Sequence, residues 1–417
     1  MKWILTVLFL VSSGFSLVNA ASPTGALSAA LAKQVKPAHQ YYQQQQYQKA
    51  LQVLKQASPK AGFETAYVKR FAGNLYWLLD QPKAAIRSFN EAVAEQALPP
   101  LDQSQTQRML ADLYLAEQQA KLALQHYHQV DKSQRDVQYY LHMAQAYYQL
   151  EQWQQVINHA QMGVKRSTTF NQSAQLMLLN GYYQLGQLAN AAKVLQGLTE
   201  HEPNNKRWWQ QLSSVYLQMN DSKRALSTLE IAFQANMLQG SGELQNLARL
   251  RANAGLPYQA ADLLQRSIDN GNLEADVSNL TELAGYWQLA REYQRAAKVW
   301  GKVAAQTSQA NHYLQQASLY SLDQEYQQAI KVLERLGGTL PSATQGSVAL
   351  AKVQAYYALN QYQQALQYAR EAQEQQTSAS QANSWVALLE SKLESKLESK
   401  LESKLESKLK GQASTTL

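Results

Sequence analysis

Cysteine is absent from all 417 positions. That excludes disulfides, thiol chemistry, cysteine-ligated metals and attachment through a lipidated cysteine. Proline (9) and glycine (18) are scarce, so little in the composition interrupts regular structure. Charge is thin as well: Asp, Glu, Lys and Arg make up 17% of the chain, and the 38 basic residues against 31 acidic ones are scattered along it. No run of Lys or Arg is dense enough for a nucleic-acid or lipid patch, and the net charge of +7 reads as solubility charge. After the first twenty residues no apolar stretch is long enough to span a membrane. What fills the space is Gln, at 59 positions, together with abundant Ala and Leu. All three are good helix formers, and an all-α fold follows.

The N-terminus carries Lys2, an apolar stretch from Ile4 to Val18, and Val18-Asn19-Ala20 ahead of Ala21. This is the grammar of a Sec signal peptide over residues 1–20, with Ser12, Ser13 and Gly14 breaking the apolar stretch. The expectation is a mature chain that is soluble, without a membrane span, in the periplasm of a bacterium, secretion beyond it being the alternative.

Internal self-similarity exposes the organisation. A small residue recurs at Ala50, Ala85, Ala123, Val156, Ala191, Ala225, Ala260, Ala296, Ala329 and Ala365, at a mean interval of 35. Nine positions before each stands Tyr41, Tyr76, Tyr114, Tyr147, Tyr182, Tyr216, Arg251, Trp287, Tyr320 or Tyr356, aromatic in nine of ten cases. Twelve before stands a mostly small residue: Ala38, Gly73, Ala111, Ala144, Leu179, Ser213, Ala248, Ala284, Ala317 or Val353. The pattern describes two antiparallel helices per unit. The first helix offers a small residue where its neighbour crosses closely, with an aromatic one turn on, and the second brings its own small residue to the same crossing. Turn residues such as Asp80-Gln81-Pro82, Asn220-Asp221 and Gly255-Leu256-Pro257 lie between them. One hairpin alone leaves an apolar face wet, so the units must stack.

These residues resemble the tetratricopeptide repeat (TPR) family over about Val35 to Gln376, with Pro203 and Pro341 placed where that family tends to end its second helix. Leu179, Val353, Val156 and Arg251 depart from its pattern. The expected fold class is an all-α solenoid of about ten TPR-like helix hairpins: a signal peptide over 1–20, the solenoid over 21–376, a capping helix over 377–392 built on Trp385, Leu388 and Leu389, and a tail over 393–417. In the tail Leu-Glu-Ser-Lys repeats five times from Leu389 to Lys408. A period of four winds its Leu stripe around the helix by about 40° per copy, and at i, i+4 it sets Glu beside Glu and Lys beside Lys. No heptad seam results, and the tract reads as a dispensable, partly helical duplication product.

Candidates for chemistry resolve into structure. His126 and His128 are two apart on a helix and point to different faces, with no HExxH or paired carboxylates nearby. Gly240-Ser241-Gly242 and Gly337-Gly338 follow no strand and lack the Lys-Ser/Thr of a phosphate loop, so they read as turns between helices. Trp208-Trp209 opens a first helix and reads as packing. No catalytic residue, metal or cofactor is assigned, and no segment outside the array is long enough for a catalytic domain.

In a solenoid of this kind the working surface is the concave side lined by first helices. Tyr42, Trp77, Tyr148, Tyr183 and Tyr357 stand four positions after the small residue of their helices, and Arg70, Asn74, Arg108, Gln145 and Asn180 occupy adjoining offsets. Stiff aromatics beside hydrogen-bonding groups suit protein recognition, so Arg70, Asn74, Trp77, Arg108, Tyr148, Asn180 and Tyr183 are the candidate partner-binding residues. Arg70 and Asn74 resemble the start of the carboxylate clamp of chaperone-binding TPR domains. Asp112, Gln138 and His142 follow where that clamp needs amide and basic groups, and this speaks against a C-terminal carboxylate as ligand.

Three further stretches, Trp209 to Ser213 with Tyr216 and Ala225-Leu226, Leu256 to Leu264, and Leu280 to Glu292, are similar to periplasmic TPR proteins that accompany TonB, ExbB and ExbD energy-transduction systems. The resemblance implies envelope proteins as partners, TonB or ExbB/ExbD components among them, with no nucleic acid. The alternative class is an assembly factor for exopolysaccharide or pilus export.

Overall fold

The computed structural model describes residues 25–336 and 340–413. The expected signal peptide and the pair Gly337-Gly338 lie outside the described residues. Among the described residues the regular structure is helical throughout: twenty-one α-helices and one short 3-10 turn, Lys132–Gln134. The fold class is all-α, built from ten TPR-like hairpins and a final helix.

The described residues divide into two compact units, one up to Pro203 and one from Asn204. Unit 1 holds five hairpins: α1 (Ala29–Gln43) with α2 (Tyr47–Gln56), α3 (Phe63–Leu78) with α4 (Pro82–Ala94), α5 (Pro100–Ala116) with α6 (Ala120–His128), α7 (Val137–Gln149) with α8 (Trp153–Arg166), and α9 (Gln172–Gln184) with α10 (Leu188–His201). Unit 2 holds α11 (Lys206–Gln218) with α12 (Ser222–Gln234), α13 (Ser241–Asn253) with α14 (Pro257–Asp269), α15 (Val277–Leu289) with α16 (Tyr293–Thr307), α17 (Ala310–Leu322) with α18 (Tyr326–Glu334), α19 (Ser342–Ala358) with α20 (Tyr362–Gln373), and α21 (Ala379–Ala413).

The register read from the repeat is the register of packing. All ten second-helix small residues, Ala50 through Ala365, are fully buried. Their first-helix counterparts are buried too, including the departures Leu179 and Val353. In the α11–α12 hairpin the two positions touch, for Ser213 Oγ donates to the carbonyl of Ala225 at 2.9 Å. In the α3–α4 hairpin the close approach requires glycine: a Cβ on Gly73 would stand 2.6 Å from the ring of Phe89, which is completely buried.

The repeating aromatic has a backbone role that side-chain patterning does not show. At each hairpin its carbonyl accepts an N–H from five residues on, as in Gln81 to Tyr76 (2.9 Å), Gln187 to Tyr182 (2.8 Å) and Glu292 to Trp287 (2.9 Å). This is the 6→1 bond of a Schellman turn, which needs the residue before the donor in the left-handed region. Gln45, Asp80, Gln118, Glu151, Gly186, Asn220, Gly255, Arg291, Gln324 and Asn360 all have positive φ, each five positions ahead of the small residue. Arg251, the one non-aromatic, makes the same backbone bond to Leu256 and spends its guanidinium on Glu230 of α12 at 2.7 and 2.9 Å.

The last helix runs unbroken from Ala379 to Ala413, across the boundary expected at 392/393. Its first part covers the end of unit 2. Ala382 and Leu389 are fully buried, Trp385 meets Tyr357 edge-on at 5.2 Å, and Arg370 of α20 pairs with Glu390 at 3.0 Å.

Candidate functional site

The candidate residues of the partner-binding face all belong to unit 1, on the first helices α3, α5, α7 and α9. The first helices α1, α3, α5 and α7 are tied in series by side chains. His39 Nε2 of α1 is 2.6 Å from Tyr67 Oη of α3, Arg70 of α3 reaches α5, and Gln149 of α7 donates to the carbonyl of Leu115 in α5 at 3.3 Å. Spacing of four and then three residues puts Arg70, Asn74 and Trp77 on one stripe of α3.

The cations on this face are engaged within the protein. Arg70 pairs with Asp102 at 2.9 Å and donates to Gln105 at 2.9 Å, bridging α3 and α5. Arg108 makes a forked contact with Asp136, at 3.0 and 2.9 Å, and donates to the carbonyl of Gln134 at 3.3 Å. Asp136 also caps α7, accepting the N–H of Tyr139 at 2.8 Å. Burial works to raise the carboxyl of Asp136, but the bonds from Arg108 and Tyr139 outweigh it and hold the group below the usual carboxylate range.

Beside them, Asp112 of α5 accepts from Tyr127 Oη at 2.5 Å and lies 2.8 Å from His142 Nδ1 of α7. Tyr127 is completely buried, and burial together with the Asp112 carboxylate pushes its hydroxyl far above the ordinary tyrosine value. The face therefore carries Arg–Asp pairs and a carboxylate where an anion-binding clamp would carry free cations.

Exposure separates the aromatic candidates. Trp77 is 37% exposed and Tyr148 44%, the latter edge-on to Trp153 at 5.2 Å. Tyr183 is half-buried, and burial raises its hydroxyl. Tyr42 packs edge-on against Phe71 of α3 at 5.7 Å. On α5 the equivalent residue is Leu115, 5% exposed, so the aromatic row is interrupted between Trp77 and Tyr148. Asn74 is half-buried, while Asn180 is exposed with its amide turned back to the carbonyl of Leu176 at 3.0 Å.

Patterning missed the acids that pair with Arg70 and Arg108. Asp102 sits in the first turn of α5 and Asp136 at the N-cap of α7, places where a carboxylate is favoured by the helix end itself, so a signal for them was present. It also missed the exposed ends of α15 and α17 in unit 2, where Leu289 and Leu322 are 67% and 60% exposed.

The other motifs take structural places. Trp208 is buried and Trp209 packs on the core. Glu243 accepts from the N–H groups of Gln239 and Gly240 at 3.0 Å each, making the Gly240 segment a helix-capping turn. His126 stacks on Tyr114 at 5.3 Å and burial lowers its pKa. Among the described residues no three His, Asp or Glu side chains gather as metal ligands would, and no helix is long and apolar enough to cross a membrane.

No family model matches the chain, and no curated protein matches it. Solved structures similar to it include TPR proteins. One from Parabacteroides merdae is 13% identical, with 58% of this chain and 93% of that one covered and a TM-score of 0.36. The C-terminal part of a TPR repeat-containing protein from Cytophaga hutchinsonii is 17% identical, with 65% and 94% covered and a TM-score of 0.37. YrrB, described as a TPR protein with an unusual peptide-binding site, is 15% identical, with 45% and 91% covered and a TM-score of 0.35. Likeness at these values assigns neither family nor ligand.

Proposed function

We propose that the chain is a protein-binding adaptor that performs no chemistry of its own and engages its partner on the first-helix face of unit 1. The observation that carries this reading is the exposure of Trp77 and Tyr148 at the same register position of α3 and α7. Large aromatics held on rigid helices are good interface anchors. The Arg–Asp pairs around them leave a face whose charges are already balanced, which suits an uncharged or apolar segment better than a free carboxylate.

The finer assignment is a periplasmic adaptor of a TonB-type energy-transduction system. It rests on the signal-peptide grammar of residues 1–20 and on the resemblance of the Trp209, Leu256 and Leu280 stretches.

The test is in-cell crosslinking followed by purification and mass spectrometry, with the Trp77→Ala/Tyr148→Ala double variant beside the parent. TonB, ExbB or ExbD peptides in the parent sample, reduced about tenfold or more in the variant at unchanged helicity and melting, are the expected result. Exopolysaccharide or pilus export components in their place would move the function to that class, and equal capture by both proteins would remove this face as the site. Arg108→Ala is a poor probe, because it breaks the forked contact that ties α5 to α7.

A further inference from the structure

Along α21 the residues 397–407 are all exposed. The helix is seated on unit 2 through the buried Leu389, the Arg370–Glu390 pair, and Lys396, whose ammonium lies 5.3 Å from the centre of the Tyr362 ring. Past that point Leu397, Leu401 and Leu405 are 64%, 53% and 60% exposed. The tract offers no Glu–Lys pair at i+3 or i+4, only Glu on Glu and Lys on Lys, so its charges do not support an isolated helix. A helix of this length is marginal in water by itself, and burial of its Leu ridge is what would stabilise it.

The geometry of that ridge selects its partner. Leu at every fourth position forms a ridge inclined about 26° to the helix axis, and two such ridges interlock where helices cross at about −50°. The flanks of the ridge differ in charge. Glu follows each Leu, about 100° to one side, and Lys precedes each Leu, about 100° to the other. Glu398, Glu402 and Glu406 therefore line one flank, and Lys400 and Lys404 the other. When two copies cross in the parallel sense about a two-fold axis along the ridge, the Glu flank of each faces the Lys flank of the other. In the antiparallel sense Glu faces Glu and Lys faces Lys.

We propose that residues 397–406 are a self-association surface, and that its occupant is the same segment of a second copy of this chain, crossing in the parallel sense through Leu397, Leu401 and Leu405. Like-charge columns that repel within one helix become complementary ladders between two.

The full chain is examined by sedimentation equilibrium over a concentration series at low salt. A monomer–dimer equilibrium is expected, and Leu397→Gln/Leu401→Gln/Leu405→Gln should weaken it about tenfold or more. Lys400→Glu/Lys404→Glu and Glu398→Lys/Glu402→Lys/Glu406→Lys should each be monomeric alone and associate when mixed. Because the chain has no cysteine, Leu397→Cys and Leu405→Cys report direction cleanly. The parallel arrangement yields disulfide dimers of each variant alone, whereas the antiparallel one yields them only in the mixture. A parent protein that stays monomeric at every concentration overturns the proposal. So does a dimer indifferent to the Leu substitutions, or crosslinking found only in the mixture.

Discussion

Of the ten intra-hairpin turn residues in the left-handed region, only Gly186 and Gly255 are glycine. At the others the side chain is held in a conformation that costs about 1–2 kcal/mol for most residues, and the 6→1 backbone bond keeps it there. Glu151 and Arg291 are exposed and have φ of 56° and 59°. Glu151→Gly and Arg291→Gly are expected to raise the unfolding free energy by about 0.5–1 kcal/mol each, the αL relief exceeding the unfolded-state entropy of glycine. Gly186→Ala should lower it by a similar amount through backbone strain alone, since a Cβ there meets nothing within 4 Å. Urea denaturation with unchanged slope measures all three, and a fall in midpoint for Glu151→Gly would contradict the strain argument.

At the scale of elements, hairpins are joined by single polar residues at helix ends. Glu64 in the first turn of α3 accepts the N–H of Ser28 at 2.9 Å and of Lys60 at 2.8 Å, tying the start of α1 to the turn before α3. A side-chain bond with Ser28 and these backbone donors hold its carboxyl down at about 2. A carboxyl lowered in the folded state contributes stability that is fully present above its ordinary value near 4.5, and the contribution is lost as pH falls through about 2. Glu64→Gln should therefore melt below the parent at neutral pH, and the two should converge between the ordinary carboxylate range and strong acid. A gap independent of pH would show that shape, and not charge, joins the elements. The Arg70–Asp102 and Arg108–Asp136 contacts belong to the same class of joint. Each ties one hairpin to the next.

At the scale of the whole molecule, each unit carries its own core: Phe71, Leu110 and Tyr127 are fully buried in unit 1, and Leu247, Leu264 and Leu280 in unit 2. Helix-hairpin arrays draw their stability from nearest neighbours, so fragments 25–203 and 204–413 should each be helical and unfold cooperatively when expressed alone. Circular dichroism with thermal melts of the two fragments is the check, and a fragment that is unfolded in the absence of the other would show that the cores are not self-sufficient.

The sequence by itself determined the period, the number of hairpins and the crossing residues. Each follows from a local demand: a helix repeats its face every three or four residues, and two backbones approach closely only where side chains are small, as at Gly73 and Ala85. It also determined the turns, though not their strain, because Gln, Glu and Arg stand where glycine would have announced a positive φ. Tertiary structure alone decided which candidates stay exposed. Trp77 and Tyr148 stay exposed, Leu115 between them is buried, and Arg70 and Arg108 are taken up by acids 32 and 28 positions away in sequence. It also decided that α21 continues through the repeats past its seat on unit 2. Spacing along one helix fixes which side chains share a face, but whether that face meets solvent or a neighbouring hairpin depends on the packing of residues a full repeat away.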